Sequence, residues 1–101
     1  MQTRETYVQQ LKSSLDVCKS EIDVLEAKAR LAGAQEKRDL QLRMAELRKK
    51  RGEADSRLKD LQDASGEAWK SLREGTEVVW EDLKDTLRTT KQSFQQEWQR
   101  S

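Results

Sequence analysis

The chain has no proline, no histidine and one cysteine in 101 residues. Losing proline removes the strongest helix breaker, the residue that deletes a backbone donor and clashes with the preceding turn. Without histidine, and with one thiol, His-dependent triads and thiolate-rich zinc sites are excluded. Cys18 cannot form an internal disulfide. The four glycines, Gly33, Gly52, Gly66 and Gly75, are scattered and build no phosphate-cradling loop of the GxxxxGK[ST] kind. No stretch approaches the roughly 20 apolar residues of a membrane-spanning helix. The N-terminal "MQTRETYVQQLKSSLDV" lacks the unbroken apolar core of a signal peptide. These absences lead us to expect a cytoplasmic protein with no cofactor, no metal site and no catalytic residues.

What remains is charge and helix formers. Charged residues make up 39% of the chain and hydrophobic ones 34%, a balance typical of long helices or coiled coils. Twenty basic side chains oppose nineteen acidic ones, so no net field draws the protein to nucleic acid or an anionic membrane. The basic run "RKKR", Arg48 to Arg51, is short and has no aromatic neighbour to stack a base. Nucleic-acid binding is therefore not expected. Carboxylates such as Glu81, Asp82 and Asp85 are plentiful, but a thin helical rod gives them no pocket in which to become catalytic.

The apolar residues are periodic. Val8, Leu11, Leu15, Cys18, Ile22, Leu25, Ala29 and Ala32 step by three and four, a heptad seam. The seam slips near Gly33 and restarts as Leu40, Met44, Leu47, Arg51, Ala54, Leu58 and Leu61. In "LQDASGEAW", Asp63 and Ser65 can cap a helix and Gly66 can take a positive φ, so this stretch signals a turn. Beyond it, Trp69 and Trp80, like Leu72 and Leu83, are eleven residues apart, and Phe94 continues the spacing. Eleven residues over three turns keep a seam on one face of an almost straight helix. That seam reads Trp69, Leu72, Thr76, Val79/Trp80, Leu83, Leu87, Phe94 and Trp98.

The expectation is one all-α domain over residues 1–101. One helix runs from about 3 to 62, a turn occupies about 63–66, and a second helix runs from about 67 to 98. The two form a long antiparallel coiled-coil hairpin. Folding at the turn sets Arg48–Arg51 opposite Glu77, Glu81 and Asp82, and Trp98 beside Ala32 and Gly33. This arrangement leaves residues 3–30 without an internal partner, so Val8, Leu11, Leu15, Cys18, Ile22 and Leu25 are expected to carry self-association into a helical bundle, as a dimer or higher homo-oligomer. The alternative breaks the chain at Gly33 as well and gives a spectrin-like three-helix bundle.

The segments "RETYVQQLKSSLD", "EIDVLEAKA" and "LQDASGEAWKSLREGTEVVWEDLKDTL" resemble a family of small uncharacterised bacterial coiled-coil proteins. The family's pattern is an LxxASGEAWxxLK stretch followed by a second WxxLK. Leu61, Ala64, Ser65, Gly66, Glu67, Ala68, Trp69 and Leu72 match it, as do Trp80, Leu83 and Lys84. Arg73 stands where the pattern has lysine, and Gly33 departs from the Ala- and Lys-rich run of that segment. The resemblance implies a helical rod and brings no activity with it.

Two functional expectations follow. The first is a non-catalytic structural or scaffolding protein acting through helix–helix contacts; the sequence names no protein partner. The second is a peripheral protein whose Trp69, Leu72, Trp80, Leu83, Leu87, Phe94 and Trp98 seam meets a lipid or hydrophobic granule surface. Amphipathic eleven-residue repeats suit such surfaces, although these helices usually carry a Lys- and Arg-rich polar face, and residues 67–101 are one charge net acidic. Cys18 reads as a small core residue, or else as a cross-link between two chains.

Overall fold

A computed structural model describes residues 3–31 and 38–100, with residues 97–100 described by backbone alone. It contains three helices: α1 (Arg4–Leu31), α2 (Arg38–Gln62) and α3 (Trp69–Arg100). Gly33 lies outside the described residues, and so do the surroundings of the Trp98 side chain.

Local chemistry sets the helix ends. Thr3 caps α1, its Oγ1 accepting a 3.1 Å hydrogen bond from the Thr6 backbone N–H, one of the donors a helix start leaves unpaired. Glu5 in the first turn and Lys28 and Arg30 in the last complement the helix dipole. Between α2 and α3 the chain turns on backbone bonds, from Asp63 N–H to the Lys59 carbonyl and from Trp69 N–H to the Ser65 carbonyl. Ser65 thus takes part through its carbonyl. Gly66 does not use the left-handed region expected of it, and a Cβ there would meet nothing within 4 Å. The turn covers residues 63–68, so α3 starts two residues later than the cap signals suggested.

α2 is the central helix, packing on both others, whereas α1 and α3 meet sparingly. Ion pairs fix the directions. Glu26 meets Arg48, Asp23 meets Arg51 and Lys19 meets Asp55, so α1 numbers fall as α2 numbers rise and the two helices run antiparallel. Tyr7 with Glu77 and Glu21 with Lys91 are both pairs 70 residues apart, so α1 and α3 run parallel. Because α1 and α2 run antiparallel, the single helix expected over about 3–62 is replaced by two. The antiparallel hairpin is kept by α2–α3, and α1 laid alongside completes a three-helix bundle, the alternative arrangement, 52 Å in its longest dimension.

The heptad seams converge on one core. Val8, Leu15, Cys18, Ile22 and Leu25 are buried against Leu40, Met44, Leu47, Ala54, Leu58 and Leu61, and against Leu83, Leu87 and Phe94. Full burial of such a side chain stabilises by about 1.5–3 kcal/mol. This corrects the premise on which self-association was expected, because residues 3–30 do have a partner within the chain. Arg51, which falls on the α2 seam, reaches out of it to Asp23 at 3.6 Å.

Candidate helix-docking surface

From Trp69 to Phe94 the C-terminal seam faces inward. Thr76, Leu83, Leu87 and Phe94 are buried, and Trp69, Leu72, Val79 and Trp80 pack half-buried against the core. Trp69 meets Tyr7 edge-on at 5.9 Å between ring centroids. The Arg4 guanidinium lies 4.6 Å above the same indole and donates a 2.6 Å hydrogen bond to the Ala64 carbonyl. One arginine therefore ties the start of α1 to both the turn and the first aromatic of α3. The Tyr7 hydroxyl donates to Glu77 Oε1 at 3.1 Å. Burial, followed by this bond and the Glu77 charge, raises the Tyr7 pKa against an opposing effect of Arg73. On the outer side of Trp80, Lys84 Nζ stands 5.6 Å from the ring centroid. Trp69 and Trp80 thus have partners within the bundle.

Sequence reasoning missed Thr90. It is fully buried, seven residues after Leu83, and its hydroxyl donates to the Thr86 carbonyl at 2.7 Å. Thr76 does the same to the Leu72 carbonyl at 2.7 Å. A threonine that bonds the carbonyl four residues back satisfies its own hydroxyl and can sit in an apolar seam. The heptad step was the available signal.

The basic run divides between two helices. Lys50 reaches Asp82 at 3.0 Å, as the hairpin register implied, but Arg48 and Arg51 turn to Glu26 and Asp23 on α1. Glu77 binds Tyr7 and Arg73, and Glu81 binds Lys84. Burial works against the Lys50 charge, yet hydrogen bonds with Glu46 and Asp82 outweigh it and raise the Lys50 pKa. Five of the six residues expected to carry self-association are buried inside the bundle, and Leu11 packs half-buried beside them. Cys18 is one of the five. Burial, followed by the Glu21 charge, raises its pKa, which keeps it a thiol and suits a small core residue better than a cross-link.

A different apolar surface lies on the opposite side of α1. Ser13, Val17, Ser20, Val24, Ala27 and Leu31 step by four and three, and all are exposed. The three large ones, Val17 at 60%, Val24 at 51% and Leu31 at 88% exposure, recur every seven residues. Because residues three, four and seven apart share a helix face, they form one stripe. Its edge borders an open groove between α1 and α3, where Val17, Val24 and Leu25 face Lys91 and Phe94. The groove continues past the Glu21–Lys91 bridge to Cys18, Trp80 and Leu87. Sparse contact between α1 and α3 leaves it open.

Among the described residues, no group of three or more His, Cys, Asp or Glu could hold a metal ion, and no helix is long and apolar enough to cross a membrane. Comparison with protein-family models, with curated proteins and with solved structures finds no match for this chain.

Proposed function

We propose that this protein is a non-catalytic helical module that works through helix–helix association, as a structural or scaffolding element. The observation that carries this reading is the outer stripe of α1. It is a second heptad seam, apolar and small by turns, on a helix whose first seam is already buried. Such a seam is what an opposing helix packs against, each large side chain seating among four of its neighbour's. A cytoplasmic setting, in which Cys18 stays reduced, fits the same reading. So does the resemblance of its sequence to small bacterial coiled-coil proteins.

The lipid-surface alternative asks more of the molecule. Trp69, Leu72, Trp80, Leu83, Leu87 and Phe94 pack in or against the core shared with α1 and α2, so the bundle would have to open before they reached a membrane. Tryptophan emission separates the two readings. The association reading expects blue emission in buffer that does not move when neutral or anionic phosphatidylcholine and phosphatidylserine vesicles are added. Red emission in buffer that moves blue on vesicles would overturn it in favour of the surface-binding protein.

A further inference from the structure

The charges that flank the outer stripe of α1 are ordered. On the side toward α3 stand Glu21 and Lys28; on the side toward α2 stand Asp23 and Arg30. On each flank the acid precedes the base by seven residues. A pattern that runs acidic to basic along one helix complements itself when a second copy lies across it in the opposite direction.

We propose that the occupant of this face is a second copy of the chain, with the two α1 helices antiparallel and centred between Leu25 and Glu26. This rests on the helix-association reading above and adds to it the partner and the register. In this register Glu21 lies beside Lys28 of the second copy and Asp23 beside Arg30 of the second copy. Twofold symmetry repeats both pairs, because in an isologous interface each contact occurs twice. The layers between them match large to small: Val24 over Ala27, and Leu31 over Ser20. Such alternation lets two helices approach closely and fill the seam without voids.

Other registers are poorer. A parallel pair in register sets Asp23 beside Lys28 but Asp16 beside Glu21, so attraction on one turn is cancelled by repulsion on the next. An antiparallel pair shifted by one heptad gains Asp16 with Arg30 but sets Asp23 against Asp23 and Glu21 against Glu21. Only the register centred between Leu25 and Glu26 makes all four contacts attractive. Both carboxylates already have a partner within the chain: Glu21 accepts a hydrogen bond from Lys91 at 2.7 Å, and Asp23 forms an ion pair with Arg51 at 3.6 Å. A carboxylate has about four lone-pair sites, so each retains acceptor capacity for a second base. Lys91 and Arg51 then join the interface to α3 and α2.

Sedimentation over a dilution series tests the proposal. The 101-residue chain should approach twice its 11.8 kDa mass as concentration rises. Two charge-reversed variants make the test specific: Lys28→Glu with Arg30→Asp, and Glu21→Lys with Asp23→Arg. Each should sediment as a single chain, because all four contacts become repulsive. An equimolar mixture should regain the two-chain mass, because every contact is again between opposite charges. A folding defect in either variant could not produce that rescue. Both variants also alter interactions within the chain, that of Lys28 in the first and the pairs with Lys91 and Arg51 in the second, so Val17→Ser with Val24→Ser provides a check that touches no internal ion pair. It should raise the dissociation constant at least tenfold, with helical circular dichroism unchanged.

A one-chain mass for the unaltered protein at every concentration overturns the proposal. So does a two-chain mass that survives either charge reversal alone or the double serine variant. If vesicles leave tryptophan emission unchanged in those cases, only the second copy is lost as occupant, and a foreign helix becomes the partner. If vesicles shift the emission blue, the association reading falls too.

Discussion

Leu83 and Trp80 sit three residues apart on α3 and carry different loads. Leu83 is fully buried at the centre of the bundle, whereas Trp80 is half-buried with Lys84 over its outer side. Truncating a buried leucine removes its transfer free energy and leaves a cavity, at a cost of about 2–5 kcal/mol. Leu83→Ala should therefore lower unfolding free energy within that range in urea. As sequence alone presents it, Trp80 is a core anchor whose loss would cost about 3–5 kcal/mol. Its half-burial places Trp80→Ala below Leu83→Ala. Paired urea denaturation curves check the order, and the reverse ranking would show that the indole holds the bundle together more than its exposure implies.

At the scale of the helix, α2 contains a correctable weakness. Gly52 lies within α2, has no left-handed φ, and a Cβ built on it meets nothing within 4 Å. A helical glycine costs about 0.5–1 kcal/mol relative to alanine, because the unfolded chain has more freedom to lose. Gly52→Ala should stabilise the protein by about that amount, read as a higher thermal midpoint with unchanged helical signal. A lower midpoint would mean that the position is crowded or its backbone strained. The cross-helix ion pairs, such as Lys19–Asp55 at 2.6 Å, are partly exposed and worth at most about 1 kcal/mol each. They set direction and register more than they add stability.

For the molecule as a whole, three raised pKa values act together. Tyr7 and Cys18 are raised first by burial, while Lys50 is raised by its hydrogen bonds with Glu46 and Asp82 against the effect of burial. Each group binds its proton more tightly in the folded chain than in the unfolded one. Their contribution is therefore complete below the ordinary values and is lost as pH rises through the raised ones. Ordinary thiol, phenol and ammonium values fall between roughly 8.5 and 10.4, so thermal midpoints should hold level near neutrality and decline from about pH 9 upward. Tyr7→Phe, which cannot ionise, should show a shallower decline. An alkaline slope identical to that of the unaltered protein would remove Tyr7 from this account.

Helix content, the inner apolar seam of each helix and the α2–α3 turn were all legible in the sequence. They depend on interactions within a few residues: helix propensity, apolar steps of three and four, and backbone that turns where apolar periodicity stops. The direction of the Lys50–Asp82 pair was legible too, because a hairpin's register follows from where it folds. Three things were decided only when the helices packed. α1 lies back along α2 and α3, so a seam that looked unpartnered is covered. Thr90 is covered only when α3 packs on the other helices, which its hydroxyl tolerates because it is already satisfied by the Thr86 carbonyl. The exposed apolar surface moves to the far side of α1, where Val17, Val24 and Leu31 line up. A heptad pattern says that a face must be covered, but it holds no information on which distant helix covers it. That choice depends on contacts between residues far apart in the chain, and it determines which apolar stripe remains for a partner.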